Sequence, residues 1–207
     1  MERAGAYDNQ GTKVNRRLTM KRITTTLVAA AVAIIGMAMA GAEPPTDEQR
    51  EQQNPADFLQ KLVGEWSAVV HAVQDPAQDP YRFEGKETSR MLGGQWLVSE
   101  FYSEVEGQTI HSILTIGYDP TIEKFVATYA NSLQTSLWTY NGTLNDEGTT
   151  LTLKTKGPFM GDPDQKADYR VVIERKDEDE WTMSSQIHIP DEDEWVEFLS
   201  FKYERKK

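Results

Sequence analysis

From Gly64 onward the chain reads as short apolar-polar alternations cut by turn-forming pairs. Period-two alternation in runs rich in Val, Ile, Thr, Tyr, Phe and Trp marks strands with one face buried. The pattern predicts strands at 65–73, 81–92, 95–105, 109–118, 124–131, 135–144, 149–156, 168–176, 181–189 and 195–205. Asp75-Pro76, Asp79-Pro80, Gly93-Gly94, Glu106-Gly107, Asp119-Pro120, Asn145-Asp146-Glu147-Gly148 and Gly161-Asp162-Pro163 supply the turns between them. One segment has helical spacing instead. Asn54 stands as an N-cap, Pro55 takes the first helical position, and Phe58, Leu59 and Leu62 share one face of a short helix ending near Gly64. Tight connections leave no room for crossover helices, so the strands must form an antiparallel meander. A meander this long closes to remove its edges. The predicted fold is all-β: an antiparallel up-and-down barrel of about ten strands with a short N-terminal helix and an interior cavity. A two-sheet sandwich is the alternative.

At the mouth of the barrel stands "LVGEW", Leu62 to Trp66. A short helix followed by Gly64-Glu65-Trp66 resembles the opening of a lipocalin. That resemblance implies that Trp66 closes one end and that a cation from the last strand packs across its ring. Lys202 and Arg205 are the candidates, and Gly64 suits the left-handed turn out of the helix. From about Phe58 to Lys206 the chain also resembles the bacterial family called domain of unknown function 1579. The matching blocks are "LVGEW", "LGGQWLVSEF" (92–101), "IGYDP" with Lys124 after it, and "LWTYNGTL" (137–144). The resemblance implies a lipocalin-like barrel in an envelope or secreted setting, and no catalytic residues come with it.

The N-terminal region changes the picture by naming a compartment. Lys21 and Arg22 precede an apolar stretch, Leu27 to Met39, and two small-x-small sites follow at Ala38-Met39-Ala40 and Ala40-Gly41-Ala42. This is the layout of a secretory signal, and "NRRLTMK" (15–21) loosely resembles a twin-arginine signal. The expected organisation is an export signal and leader at 1–42, a polar linker at 43–53 and one barrel domain at 54–207, exported to the periplasm or secreted. No stable membrane span is expected after cleavage. The 207-residue chain has a net charge of −11, and the first 42 residues hold six of its Lys and Arg but two of its acids. A surface this acidic excludes nucleic acid as a partner. With no cysteine, neither disulfides nor thiolate chemistry is available.

Candidate chemistry is sparse. His71, His111 and His188 lack metal-ligand spacing, so no metal and no cofactor is expected. His111 depends on the register of the hairpin over Gln95–Tyr118. With a two-residue loop it faces Tyr102, and Glu100 joins them in a set fit for acid–base work. With a three-residue loop the faces exchange. Trp96, Val98, Tyr102, Leu114, Ile116 and Tyr118 then share one side, and packing favours this second register. "DEDEW" occurs at 177–181 and 191–195, one at each end of the barrel, as solvated turns and not a calcium site. "GPFMGDP" puts Phe159 and Met160 at a loop tip, as a lid or a plug.

The leading functional expectation is a binding module. Its barrel holds a small, mainly apolar molecule against a wall of Tyr81, Phe83, Trp96, Tyr102, Phe125, Tyr129, Trp138 and Tyr140. A haem protein or acid–base enzyme using an interior histidine is the second reading. A filled structural barrel, dimerising through an outer aromatic stripe, is the third.

Overall fold

A computed structural model describes residues 54–73, 80–159, 162–189 and 193–207. The leader, the linker, the Asp75-Pro76 turn, Asp79, Met160, Gly161, Asp191 and Glu192 lie outside the described residues.

Helix α1 spans Pro55–Lys61. The Asn54 side chain accepts a hydrogen bond from the Ala56 N–H at 3.1 Å, satisfying one orphan donor of the first turn. Phe58, Leu59 and Leu62 are buried, as helical spacing predicted. Ten strands follow: β1 Gly64–Ala72, β2 Tyr81–Leu92, β3 Trp96–Val105, β4 Gln108–Asp119, β5 Lys124–Asn131, β6 Trp138–Leu144, β7 Thr150–Phe159, β8 Asp162–Arg175, β9 Glu180–Ile189 and β10 Glu194–Arg205. Each pairs antiparallel with its neighbour in sequence, and β10 pairs β1 to close the ring. The fold is the closed up-and-down barrel that alternation predicts, not a sandwich. Among the described residues, no helix is long and apolar enough to cross a membrane.

The segment 157–159, expected in a loop, is the end of β7. Pro158 has no N–H to give a ladder, and the register shifts between Pro158 and Phe159. A bulge is where a sheet tolerates proline, so the strands continue past it.

The hairpin of β3 and β4 takes the register that packing arguments disfavoured. Tyr102 pairs with His111 and Val105 with Gln108. Glu106 and Gly107 both have positive φ, 51° and 80°, the two-residue turn whose twist matches the strands. Trp96, Val98 and Tyr102 therefore point outward. The inward set is Leu97, Ser99, Phe101 and Ser103, against Ser112, Leu114 and Ile116.

The two ends of the barrel differ. Helix α1 covers one end, where Phe58 meets Phe125 edge-on at 6.5 Å. Beneath it the interior is filled. Trp181 stacks on Tyr203 at 3.7 Å, and Trp66 meets Trp181 edge-on at 6.0 Å. Trp66 donates its indole N–H to the Leu62 carbonyl at 3.0 Å, fixing the strand to the end of the helix. Arg205 lies across its ring, 4.1 Å from the centroid, and donates to the Val63 carbonyl at 3.0 Å. Gly64 has φ of 147°, and a Cβ there would strike the Arg205 guanidinium. Of the two candidate cations, Arg205 is thus the one at the closure. Lys202 points outward to Glu180 and Glu204, both at 3.0 Å. Alternation is the reason, since Lys202 sits between the inward residues Phe201 and Tyr203.

Candidate functional site

At the end opposite α1 the interior is hollow. A cavity of about 440 Å³ lies between β4–β10. Trp138 and Tyr140 on β6, Tyr129 on β5, Tyr169 on β8 and Phe198 and Phe201 on β10 bring aromatic rings to it. Two local devices aim these rings. The register of β10 against β9 shifts between Glu197 and Leu199, so Phe198 and Leu199 both border the cavity. On β7, Gly157 leaves room for the Trp138 ring, which a Cβ would strike. The Trp138 ring then meets Tyr169 edge-on at 5.3 Å.

The wall is largely apolar with a few polar groups, the usual make-up of a small-molecule site. Tyr169 donates its hydroxyl to the Pro158 carbonyl at 2.6 Å. Asn131 donates its side-chain N–H to the Tyr129 hydroxyl at 3.3 Å. Burial, and then the neighbouring Tyr129, raise the pKa of Tyr140, so its hydroxyl stays protonated. Among the described residues, Arg170 is the one charged residue lining the cavity. Its guanidinium lies 4.3 Å from the Trp195 ring centroid and donates to Gln186 at 2.5 Å, both outer-face partners.

Deeper, between the cavity and the filled end, lies a buried carboxyl that sequence reasoning missed. Glu87 on β2 is 4% exposed. Ser89 donates to it at 2.9 Å, and Ser89 and Ser99 share a hydrogen bond of 2.7 Å. Burial pushes its pKa up to about 7, against smaller lowering effects from Ser89, Tyr203 and Ser99. The fully buried Tyr203 hydroxyl stands near it without a well-formed hydrogen bond. Its inward parity with Trp66 and Phe101 was the available signal.

Of the expected wall, Tyr129, Trp138 and Tyr140 line the cavity. Phe125 is buried beneath α1. Phe83 is partly buried against the core, while Tyr81 is exposed and donates its hydroxyl to Glu106 at 3.4 Å; the two rings lie 6.0 Å apart and neither lines the cavity. Trp96 and Tyr102 are exposed on the outer face, where the β3–β4 register puts them. Phe159, Tyr169, Met183, Phe198 and Phe201 take part in the lining without having been expected there.

Glu100, Tyr102 and His111 do gather, but outside the barrel. The His111 imidazole is 3.7 Å from the Glu100 carboxylate, and both side chains are half exposed. Tyr102 donates to Glu104 at 2.8 Å instead. His71 also faces outward, and His188 packs on Trp195 at 5.1 Å and meets Asp193 at 3.1 Å. No histidine points into the barrel, so an interior haem ligand or acid–base histidine has no residue to supply it. Among the described residues, no three potential metal ligands cluster.

Adding one methyl group tests the fit of Trp138. Gly157→Ala is expected to push the ring into the cavity and to lower stability by about 1–3 kcal/mol, the usual cost of overpacking. Urea denaturation checks it, and unchanged stability would mean the ring moves aside freely.

Among solved structures, the chain is similar to Rv2717c from M. tuberculosis, with a TM-score of 0.51 and 13% identity over 75% of this chain and 99% of that one. A redesigned β-barrel matches with a TM-score of 0.40 and 9% identity over 72% of this chain and 96% of that one. At such identity the first of these speaks for the barrel fold alone. No curated protein matches the chain. The family model described as "Protein of unknown function (DUF1579)" matches residues 51–205, and the chain belongs to that family.

Proposed function

We propose that this protein is an exported binding module that holds a small, mainly apolar molecule in the cavity at the open end of its barrel. The observation that carries the reading is the contrast between the two ends. One is sealed by α1, Trp66 and Arg205, while the other keeps about 440 Å³ lined by aromatic rings. Core side chains collapse onto voids where they can, so a hollow of this size with a rigid aromatic wall suits an occupant. The signal-like leader supports export to the periplasm or beyond.

The test is native mass spectrometry of the protein purified gently from its own exported fraction, repeated after incubation with host lipid extract. The expected result is an added small-molecule mass that is released on denaturation. It should be lost in Ser185→Phe, which fills the cavity from β9, while near-ultraviolet circular dichroism stays native. A clean apo mass in both samples would leave a structural barrel as the better account.

A further inference from the structure

The cavity's polar groups differ in what they leave free. Three phenols line it: Tyr129, Tyr140 and Tyr169. Tyr169 donates its O–H to the Pro158 carbonyl, and the Tyr129 oxygen is anchored as the acceptor of the Asn131 N–H, which leaves Tyr140 as the phenol with neither role filled. Tyr140 is in ring contact with Trp138 at 6.5 Å, but its hydroxyl has no hydrogen-bond partner among the described residues. A hydroxyl on the cavity wall with no protein partner is free to donate to whatever occupies the space. Charge narrows the choice of occupant further. The guanidinium of Arg170 is turned to the outer face, where its Nε donates to Gln186 and its plane lies over Trp195, and among the described residues no other cation borders the cavity. A carboxylate entering this space would lose its hydration with no counter-charge aimed at it, since the Arg170 head points away.

We infer that the cavity selects uncharged, planar, largely apolar molecules carrying a carbonyl-type acceptor, which takes a hydrogen bond from the Tyr140 hydroxyl. This rests on the ligand-binding reading above and names the chemistry of that site. Flat ligands suit it because Trp138 and Tyr140 stack in near-parallel, with 23° between their planes. The protonated state of Tyr140 agrees with a donor role.

Three probes of nearly one shape separate the terms: 2-acetonaphthone, 2-ethylnaphthalene and 2-naphthoate. Each is titrated by calorimetry at pH 8 into the wild-type protein, Tyr140→Phe and Tyr129→Phe. The ketone should bind about five- to tenfold more weakly to Tyr140→Phe, the loss of one net hydrogen bond. The hydrocarbon should bind both proteins alike, which also reports that the variant is folded. Tyr129→Phe should cost the ketone less than Tyr140→Phe, and 2-naphthoate should bind the wild type at least about tenfold more weakly than the ketone. Equal ketone affinity in wild type and Tyr140→Phe would overturn the inference and leave the cavity reading standing. Naphthoate binding as tightly as the ketone would do the same, as would equal losses in the two tyrosine variants. If neither neutral probe binds the wild type, the ligand-binding reading itself falls and takes this inference with it.

Discussion

Replacing Trp66 with alanine should lower the stability of the barrel by about 3–5 kcal/mol, the range for deleting a large buried aromatic. The indole is 1% exposed and touches three different parts of the fold at once. It meets Trp181 edge-on, carries Arg205 on its face and donates to the Leu62 carbonyl at the end of α1. Truncation opens a cavity, strands the Leu62 carbonyl and removes the surface on which Arg205 rests. Arg205→Ala should cost less, about 1–2 kcal/mol, because the guanidinium is partly solvated and its interactions are screened. Urea denaturation of both variants, with Trp66→Phe as an intermediate that keeps a ring, gives the ranking. A loss below about 1 kcal/mol for Trp66→Ala would mean that the closure is held elsewhere.

The second large effect should appear only as pH rises. The Glu87 carboxyl titrates near 4.5 in the unfolded, solvated chain and at about 7 when folded, because burial disfavours its charge. Between those values the folded state holds a proton that the unfolded state has released. Stability therefore falls as pH rises through that window, and the full penalty is present above the folded pKa. Its size is on the order of 3 kcal/mol. Glu87→Gln keeps the shape and cannot ionise, so it should lack this slope. Relative to wild type, it should gain on the order of 2 kcal/mol between pH 5.5 and pH 8. Thermal melts across that range measure it directly. Parallel curves for the two proteins would show that Glu87 does not titrate inside the barrel.

Glu87 also explains what the sequence hid. Strand existence was legible because alternation and turn pairs are local signals, and α1 was legible from Asn54-Pro55 and the Phe58, Leu59, Leu62 spacing. The faces were harder. A rule that puts apolar residues inside chose Trp96, Val98 and Tyr102 for the core of β3. The barrel instead encloses Ser99 and Ser103, with Glu87 and Ser89 beside them on β2. Small hydroxyls are tolerated there because they bond one another and the Glu84 carbonyl, which Ser103 reaches at 2.6 Å. Outside, the Trp96 ring finds shelter over Gly117, where a Cβ would strike it. The turn chemistry of Glu106-Gly107 was the better guide to register, since a two-residue loop fixes every pair that follows.

The cavity was half legible. Tyr129, Trp138 and Tyr140 followed from alternation on β5 and β6. Tyr169 and Phe201 could have been found the same way, from Val171 and Ile173 on β8 and from Tyr203 on β10. Phe198 could not, because it depends on a register shift that breaks the alternation. Nor does any local pattern say which end of a closed sheet is filled. That follows from where Trp66, Trp181 and Tyr203 meet, which is a matter of register across strands far apart in sequence.

The seam between β1 and β10 has a consequence for the order of folding. Every other strand pair joins neighbours in the chain, whereas Trp66 pairs with Arg205 across nearly the whole domain. The chain entropy lost in bringing those ends together is the largest of any pair in the sheet. Hairpins can assemble one after another, but the ring closes only when β10 is present. Until then both β1 and β9 expose unpaired backbone, an invitation to pairing with another chain. Contacts made at the seam are thus made late, and late contacts chiefly govern how fast a native molecule opens rather than how fast it forms. The tryptophan and arginine at the seam therefore act as a latch on unfolding, a useful property for a disulfide-free protein.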